Sequence, residues 1–305
     1  MEIVPIIGKM AVLVLLMLVG YGCAAIGLTG PEFNKKVTPV VLNVLLVATI
    51  LNSVISAEEL VGGMVLLEYL GAFLVMFLVS MLVAWLCARL LRRNRDDEGV
   101  LRMSMMFMNN AFVGFPVVAA LFGPQAVFYA AISNIPFNVL LYTVGTAQLR
   151  RGGNDGIAWR KILTPPLIAT IVSAALYLSR LTVPHVLGET VSMLAGATIP
   201  MSMLIVGTSL GAIPVRKAFG SLRVYAAAAV RLLLIPLVTW ALLRLVIRDA
   251  TMLGILTLIA ACPAAMIVTP LCITHGKDES LASEIIFTST VLSAVTIPFL
   301  VWLLF

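Results

Sequence analysis

Charge is scarce in this chain. Only 11% of its 305 residues are Asp, Glu, Lys or Arg, against roughly a quarter in an ordinary soluble domain, and that shortage excludes a soluble globular fold. Histidine is limited to two residues, His185 and His275. Gly207-Thr208-Ser209-Leu210-Gly211 matches the G-x-S-x-G pattern of serine hydrolases in form, but it closes an apolar helix-length run, no strand precedes it, and only those two histidines could serve as a base. No paired acids or Ser–His arrangement stands at depth for a protease, so no enzyme class fits. The four cysteines, Cys23, Cys87, Cys262 and Cys272, lie inside apolar runs with no CxxC or other ligand-like pairing. That excludes a disulfide framework and a zinc centre, leaving them as small core residues; no cofactor or metal is expected. Carboxylates are the last shortage. Of 14 Asp and Glu, only Glu68 and Glu284 fall within apolar runs, both near the ends, so the deep proton-exchanging carboxylate that a cation/proton antiporter needs is missing.

Apolar residues fill the space that charge leaves. At 61% hydrophobic and a mean hydropathy of +1.11, this is a polytopic membrane protein whose first partner is the lipid bilayer. The net charge of +6 is spread over the ends of apolar runs and forms no single patch, which argues against nucleic acid. The N-terminal run is read as a retained first span: its start is acidic, Lys9 stands alone inside it, and Tyr21-Gly22-Cys23 suits cleavage poorly.

A hydrocarbon core of about 30 Å takes about 20 apolar residues per helix. The runs predict ten spans, at 5–28, 37–55, 66–90, 101–122, 125–148, 162–180, 190–211, 221–246, 251–274 and 281–304. Fifteen of the 20 Lys and Arg fall on odd-to-even connections: Lys35, Lys36, Arg89, Arg92, Arg93, Arg95, Arg102, Arg150, Arg151, Arg160, Lys161, Arg216, Lys217, Arg223 and Lys277. The other ends keep Lys9, Arg180, Arg244 and Arg248, while Glu58 and Glu59 follow span two. Positive loops face the cytoplasm, so the expectation is a protein of the cytoplasmic (inner) membrane with both termini outside.

A cytoplasmic midpoint divides the spans five plus five, and an odd number per half inverts the second half. Residues 1–149 make the first repeat, 150–161 a cytoplasmic linker and 162–305 the second repeat. Thr38-Pro39 is expected to open span two as Thr198-Ile199-Pro200 opens span seven. A shift of 154 residues lays Asn109-Asn110 onto Pro263-Ala264.

Span four, 101–122, carries Asn109, Asn110, Gly114 and Pro116 near its middle. Proline removes a backbone donor and clashes with the carbonyl four residues earlier, here Phe112, so the helix is expected to break there. Span nine holds Pro263 and Pro270 in the same relative place. Either both helices merely kink, or both unwind and frame a site, since broken backbone at depth is tolerated only inside protein or beside a watery cavity. In the second case the new N-terminal ends, expected near Val117 and Leu271, carry roughly half a positive charge each and suit anions. Asn109 and Asn110 add donors and acceptors without a buried charge.

The runs Asn109-Asn110-Ala111-Phe112-Val113-Gly114-Phe115-Pro116, Asn134-Ile135-Pro136-Phe137-Asn138, Ala197-Thr198-Ile199-Pro200-Met201-Ser202, Arg231-Leu232-Leu233-Leu234-Ile235-Pro236 and Pro263-Ala264-Ala265-Met266-Ile267-Val268-Thr269-Pro270 resemble the auxin efflux carrier family in its short prokaryotic form, over essentially the whole chain. The resemblance implies an all-α fold of ten helices in a 5+5 inverted repeat, like bile-acid and sodium/proton carriers, with broken helices four and nine crossing. It implies a scaffold of residues 1–55 and 162–211, usually dimerising, against which a transport bundle of 66–149 and 221–305 moves as an elevator. Members carry small organic anions, malonate- or malate-like acids in bacteria and auxin in plants. The plant carriers' long loop is represented here only by 150–161, so auxin and phosphorylation control do not carry over. Where relatives often place Tyr-Gly after the second crossover, this chain has His275-Gly276.

Arg231 is the basic residue well inside a span, at a depth of ~14 Å from the cytoplasmic end at 1.5 Å per residue. It either faces the cavity, holding a substrate carboxylate or pairing with Glu284, or snorkels toward headgroups. Asn43, Ser202, Thr208, Asn134 and Asn138 either line the cavity or make helix-to-helix hydrogen bonds. The methionines at 103, 105, 106 and 108 fit soft packing better than copper ligation. The expected substrate site is Asn109, Asn110, Gly114, Pro116, Pro263, Pro270, Asn43, Asn138, Ser202 and Arg231, with Glu284 as a candidate for ion coupling, in a secondary carrier of small organic anions. A cation/proton antiporter on the same fold and a non-transporting receptor are the alternatives.

Overall fold

The structure is a computed structural model that describes residues 3–57, 63–149, 163–179, 183–211 and 221–304. The 150–161 linker, Glu58 and Glu59, and Arg150, Arg151, Arg160, Lys161, Arg180, Arg216 and Lys217 lie outside the described residues. Among the described residues every regular element is helical and no strand occurs. In chain order these are α1 (Ile3–Ala25), α2 (Pro31–Ile55), α3 (Gly63–Leu91), α4 (Arg95–Met106), α5 (Asn110–Phe122), α6 (Pro124–Leu149), α7 (Pro165–Ser179), α8 (His185–Gly211), α9 (Leu222–Leu243), α10 (Ala250–Ala261), α11 (Val268–Thr274) and α12 (Glu279–Leu304). Seven of them, α1 (over Gly8–Ala25), α2, α3, α6, α8, α9 and α12, are long and apolar enough to cross a membrane, while α5, α7 and α10 are shorter apolar helices.

Prolines shape these helices without ending most of them. Pro39 lies inside α2, which begins instead at Pro31, where the missing N–H would have had no partner anyway. Thr198-Ile199-Pro200 likewise sits inside α8, just past a single turn residue at Ala197. Thr38-Pro39 therefore does not open its span, contrary to the sequence expectation, whereas Thr198 does begin the regular helical stretch Thr198–Gly211 within α8. Wider π-helical turns at Val41–Leu45, Asn110–Gly114, Leu141–Gly145 and Val230–Leu234 each lie close to a proline, namely Pro39, Pro116, Pro136 and Pro236. Such a turn absorbs the register that a proline disturbs. Displaced carbonyls still need donors in a membrane, and at Leu45 two hydroxyls supply them: Thr49 and Thr198 each donate to its oxygen at 2.9 Å.

The chain divides into two compact units. The first is Met1–Leu70, Ala111–Ile135 and Leu163–Ile213; the second is Gly71–Asn110, Pro136–Ile162 and Pro214–Phe305. In the first unit α1 and α8 approach backbone to backbone. A Cβ added to Gly207 would meet the Met17 carbonyl and stand 2.8 Å from the Tyr21 nitrogen, and one on Gly211 would stand 2.6 Å from the Ala24 Cβ. Glycines four apart on one face let membrane helices touch closely. Ser209, between them, donates to the Ile205 carbonyl at 2.9 Å and accepts from the Asn34 amide at 2.8 Å. The G-x-S-x-G match is therefore a helix-packing seam.

In the second unit, Asn94 caps α4 by accepting from the Asp97 N–H at 2.8 Å, and Asp96, Asp97 and Glu98 fill the first turn, where the helix dipole favours them. Each acid is also paired: Asp97 with Arg223, Glu98 with Arg92 and Arg102, and Asp96 with Lys277 at 2.6 Å. At the other end of α4, Phe107 packs between Phe77 and Phe137, with ring centroids 5.3 and 5.6 Å apart.

Candidate functional site

Two interruptions in the second unit meet each other. After α4 the chain turns extended at Phe107, with φ −98° and ψ 128°; after α10 it does the same at Cys262, with φ −63° and ψ 149°. The two extended stretches pair antiparallel, Met108 opposite Ala264. The Asn109 N–H donates to the Pro263 carbonyl at 2.8 Å, and the Ala265 N–H donates to the Phe107 carbonyl at 3.0 Å. Ser289 on α12 accepts the Ala264 N–H at 3.1 Å. Backbone that could satisfy itself only by continuing as helix is thus satisfied by its counterpart, as burial requires.

Both predicted interruptions exist, but not where the prolines suggested. Helix resumes at Asn110 and at Val268, ahead of the expected ends near Val117 and Leu271. Pro116 falls in the first two residues of the regular α-helix Phe115–Phe122, directly after the π turn that ends at Gly114, and Pro270 is the third residue of α11. Proline is tolerated in a first turn: Pro270 stands in the first turn of α11, and Pro116 starts the regular α-helical part of α5 behind its π turn. Pro263 is the one that lies within an interruption.

Arg231 joins the two interruptions. Its side chain is fully buried; Nε donates to the Cys262 carbonyl at 2.9 Å, Nη1 to Met105 at 3.0 Å and Nη2 to Ala260 at 2.7 Å. It neither snorkels nor pairs with Glu284, which accepts instead from the Ser280 hydroxyl at 3.4 Å near the start of α12. Its partners are backbone carbonyls in the last turns of α4 and α10 and just beyond, the electronegative ends of two helices.

Asn110 opens α5 and is 5% exposed. Neither Oδ1 nor Nδ2 of its side chain has a partner among the described residues. Asn109 is buried beside it at 4%. Asn138 is half-buried in the second unit, and Pro270 is exposed. Asn43, Gly114, Pro116 and Ser202 belong to the first unit; Asn43 is exposed there, and Ser202 is fully buried with its hydroxyl unpartnered among the described residues. Thr208 is engaged with the hydroxyl of Thr29, in the connection between α1 and α2, at 3.0 Å, and donates to the Gly20 carbonyl of α1 at 3.4 Å. Sequence reasoning missed Ser289, although Thr288-Ser289-Thr290 is a polar step in an otherwise apolar run. It also missed the carbonyls of Met105, Ala260 and Cys262, for which a sequence carries no signal.

The family described as membrane transport protein matches this chain over residues 5–156 and 154–301. A protein of Methanothermobacter thermautotrophicus named an uncharacterized transporter is 28% identical over 95% of this chain and 95% of its own length. Another so named, from Methanocaldococcus jannaschii, is 25% identical over 96% of this chain and 97% of its own.

Proposed function

Because the chain belongs to the membrane transport protein family, that of the auxin efflux carriers, we propose that it is a secondary carrier of small organic anions, with Asn109 and Asn110 at the start of α5 as the core of its substrate site. The observation that carries this is the Asn110 side chain, buried with both polar atoms unpartnered among the described residues. An unsatisfied buried amide costs about 1–3 kcal/mol, and such groups call for a functional explanation. Helix α5 supplies the complement, since its N-terminal amides carry partial positive charge. A carboxylate can accept from Asn110 Nδ2 and from the helix end, while Asn110 Oδ1 is left to accept from a hydroxyl or other donor of the substrate.

The same reading takes spans four and nine as crossed halves of an inverted repeat, both termini outside the cytoplasmic membrane, with a scaffold that dimerises and a bundle that slides as an elevator. The antiparallel pairing supports the repeat. A two-fold relation places equivalent residues opposite each other at its axis, and Asn109 and Pro263, which the shift of 154 residues makes equivalent, are joined there at 2.8 Å. The short helices α5, α7 and α10 complete ten spans when α4 and α11 continue the broken ones.

Purified protein in proteoliposomes is expected to take up radiolabelled malonate or malate, with indole-3-acetate run for comparison. Asn110→Ala is expected to cut uptake about tenfold or more, the equivalent of one buried hydrogen bond to a charged group. Undiminished uptake by that variant would remove Asn110 from the site.

A further inference from the structure

Among the described residues Arg231 and Asp97 are the charged residues buried as whole residues, and the Lys277 side chain, 6% exposed, pairs with Asp96. Asp97 has Arg223 as its counter-ion. Arg231 has no carboxylate partner among the described ion pairs, yet an isolated cation in hydrocarbon is costly. What balances it is the three carbonyls it holds, Met105 of α4 and Ala260 and Cys262 at the end of α10. Each of these helices has 12 residues, long enough for its C-terminal end to act as roughly half a negative charge. Two such ends amount to about one charge, the amount a guanidinium carries.

Resting on the anion-carrier reading, we infer that Arg231 sets the sign of the charge the crossing accepts: it is a positioning residue that cancels the electronegative ends of α4 and α10, so that the electropositive start of α5 with Asn110 is what a substrate meets. It acts through the backbone. Without its charge, the paired stretches around Met108 and Ala264 would present two negative helix ends close to the start of α5, and a carboxylate would lose its advantage over an uncharged molecule of the same shape. Arginine suits the task because its planar fork reaches three carbonyls at once and it stays protonated. This also explains how an anion site is built where the sequence provides no other deep cation.

The test compares binding of malonate with that of malonamide, its uncharged diamide, and of malate with malamide. It uses calorimetry on purified full-length protein. Wild type is expected to prefer each carboxylate over its amide. Arg231→Met is expected to shrink that preference about ten- to thirtyfold, from the helix-end interactions released, with amide binding little changed. Arg231→Lys, which keeps the charge but not the fork, is expected to retain the preference within about threefold. A merely structural arginine would weaken both ligands alike. The inference is overturned if the neutral variant keeps the wild-type preference, or if Arg231→Lys loses it as fully as the neutral variant does. Should Arg231→Met fail to give monodisperse protein, Arg231→Gln replaces it and the lysine comparison still decides. If wild type itself binds neither carboxylate better than its amide, the anion-carrier reading falls, independently of Arg231.

Discussion

Gly207→Leu is expected to leave almost no folded protein. The added Cβ alone would run into the Met17 carbonyl and come within 2.9 Å of the Met17 carbonyl carbon and 2.8 Å of the Tyr21 nitrogen. These are backbone atoms of α1 and cannot rotate aside. Three further carbons have no room, and overpacking against fixed backbone costs about 3 kcal/mol or more. Moving α1 outward would not rescue the fold, because Gly20 on the opposite helix stands just as close, with an ideal Cβ 2.5 Å from the Leu204 carbonyl oxygen. Both seam partners and the Thr29–Thr208 bond would separate together. Gly22→Ala is the matched control, since nothing lies within 4 Å of a Cβ there. Size-exclusion chromatography of fluorescently tagged extracts should show aggregate for Gly207→Leu and a wild-type peak for Gly22→Ala. A wild-type peak for both would mean that α1 and α8 do not touch at Gly207.

Arg223→Met is expected to be the next most damaging. The Asp97 side chain is 6% exposed, and deleting one partner of a buried ion pair typically costs about 3–5 kcal/mol, because the remaining charge has no counter-ion. The loss should fall at the lower end, since Asp97 sits in the first turn of α4 and also accepts from the Arg93 N–H at 3.4 Å. Adding Asp97→Asn to Arg223→Met removes the stranded charge, so the double variant should melt above the single one. A double-mutant cycle on melting temperature reads this directly. Equal melting of wild type and Arg223→Met would show the pair to be a solvated contact.

The membrane class and the two interruptions were legible because they depend on composition and on the local chemistry of proline. The positions of the interruptions were not. Pro116 and Pro270 mark trouble nearby, but a proline is at home in a first turn, and what fixes the extended stretches is their pairing across the sequence from Phe107 to Ala265. Register of that kind leaves no periodic trace. Arg231 could be placed at depth by counting residues, yet its partners could not be read, because all three are main-chain carbonyls. A sequence shows charge only on side chains, and Glu284 is the carboxylate it offers as a partner. Gly207 and Gly211 show the converse: the hydrolase pattern they form with Ser209 is set aside on the sequence alone, but the packing meaning of four-residue glycine spacing in an apolar run goes unread there.

The account depends on the two interruptions facing each other. Met108 and Ala264 form the non-hydrogen-bonded pair of the bridge, the arrangement in which antiparallel Cα atoms approach to about 4.5 Å, within the range a disulfide spans. With Cys23, Cys87, Cys262 and Cys272 replaced by alanine, the double variant Met108→Cys, Ala264→Cys is the direct test. Mild oxidation followed by denaturation and maleimide labelling is expected to find both thiols blocked, with labelling restored by reductant. If both thiols label fully after oxidation, the interruptions are apart, and the site proposed for this carrier is not there.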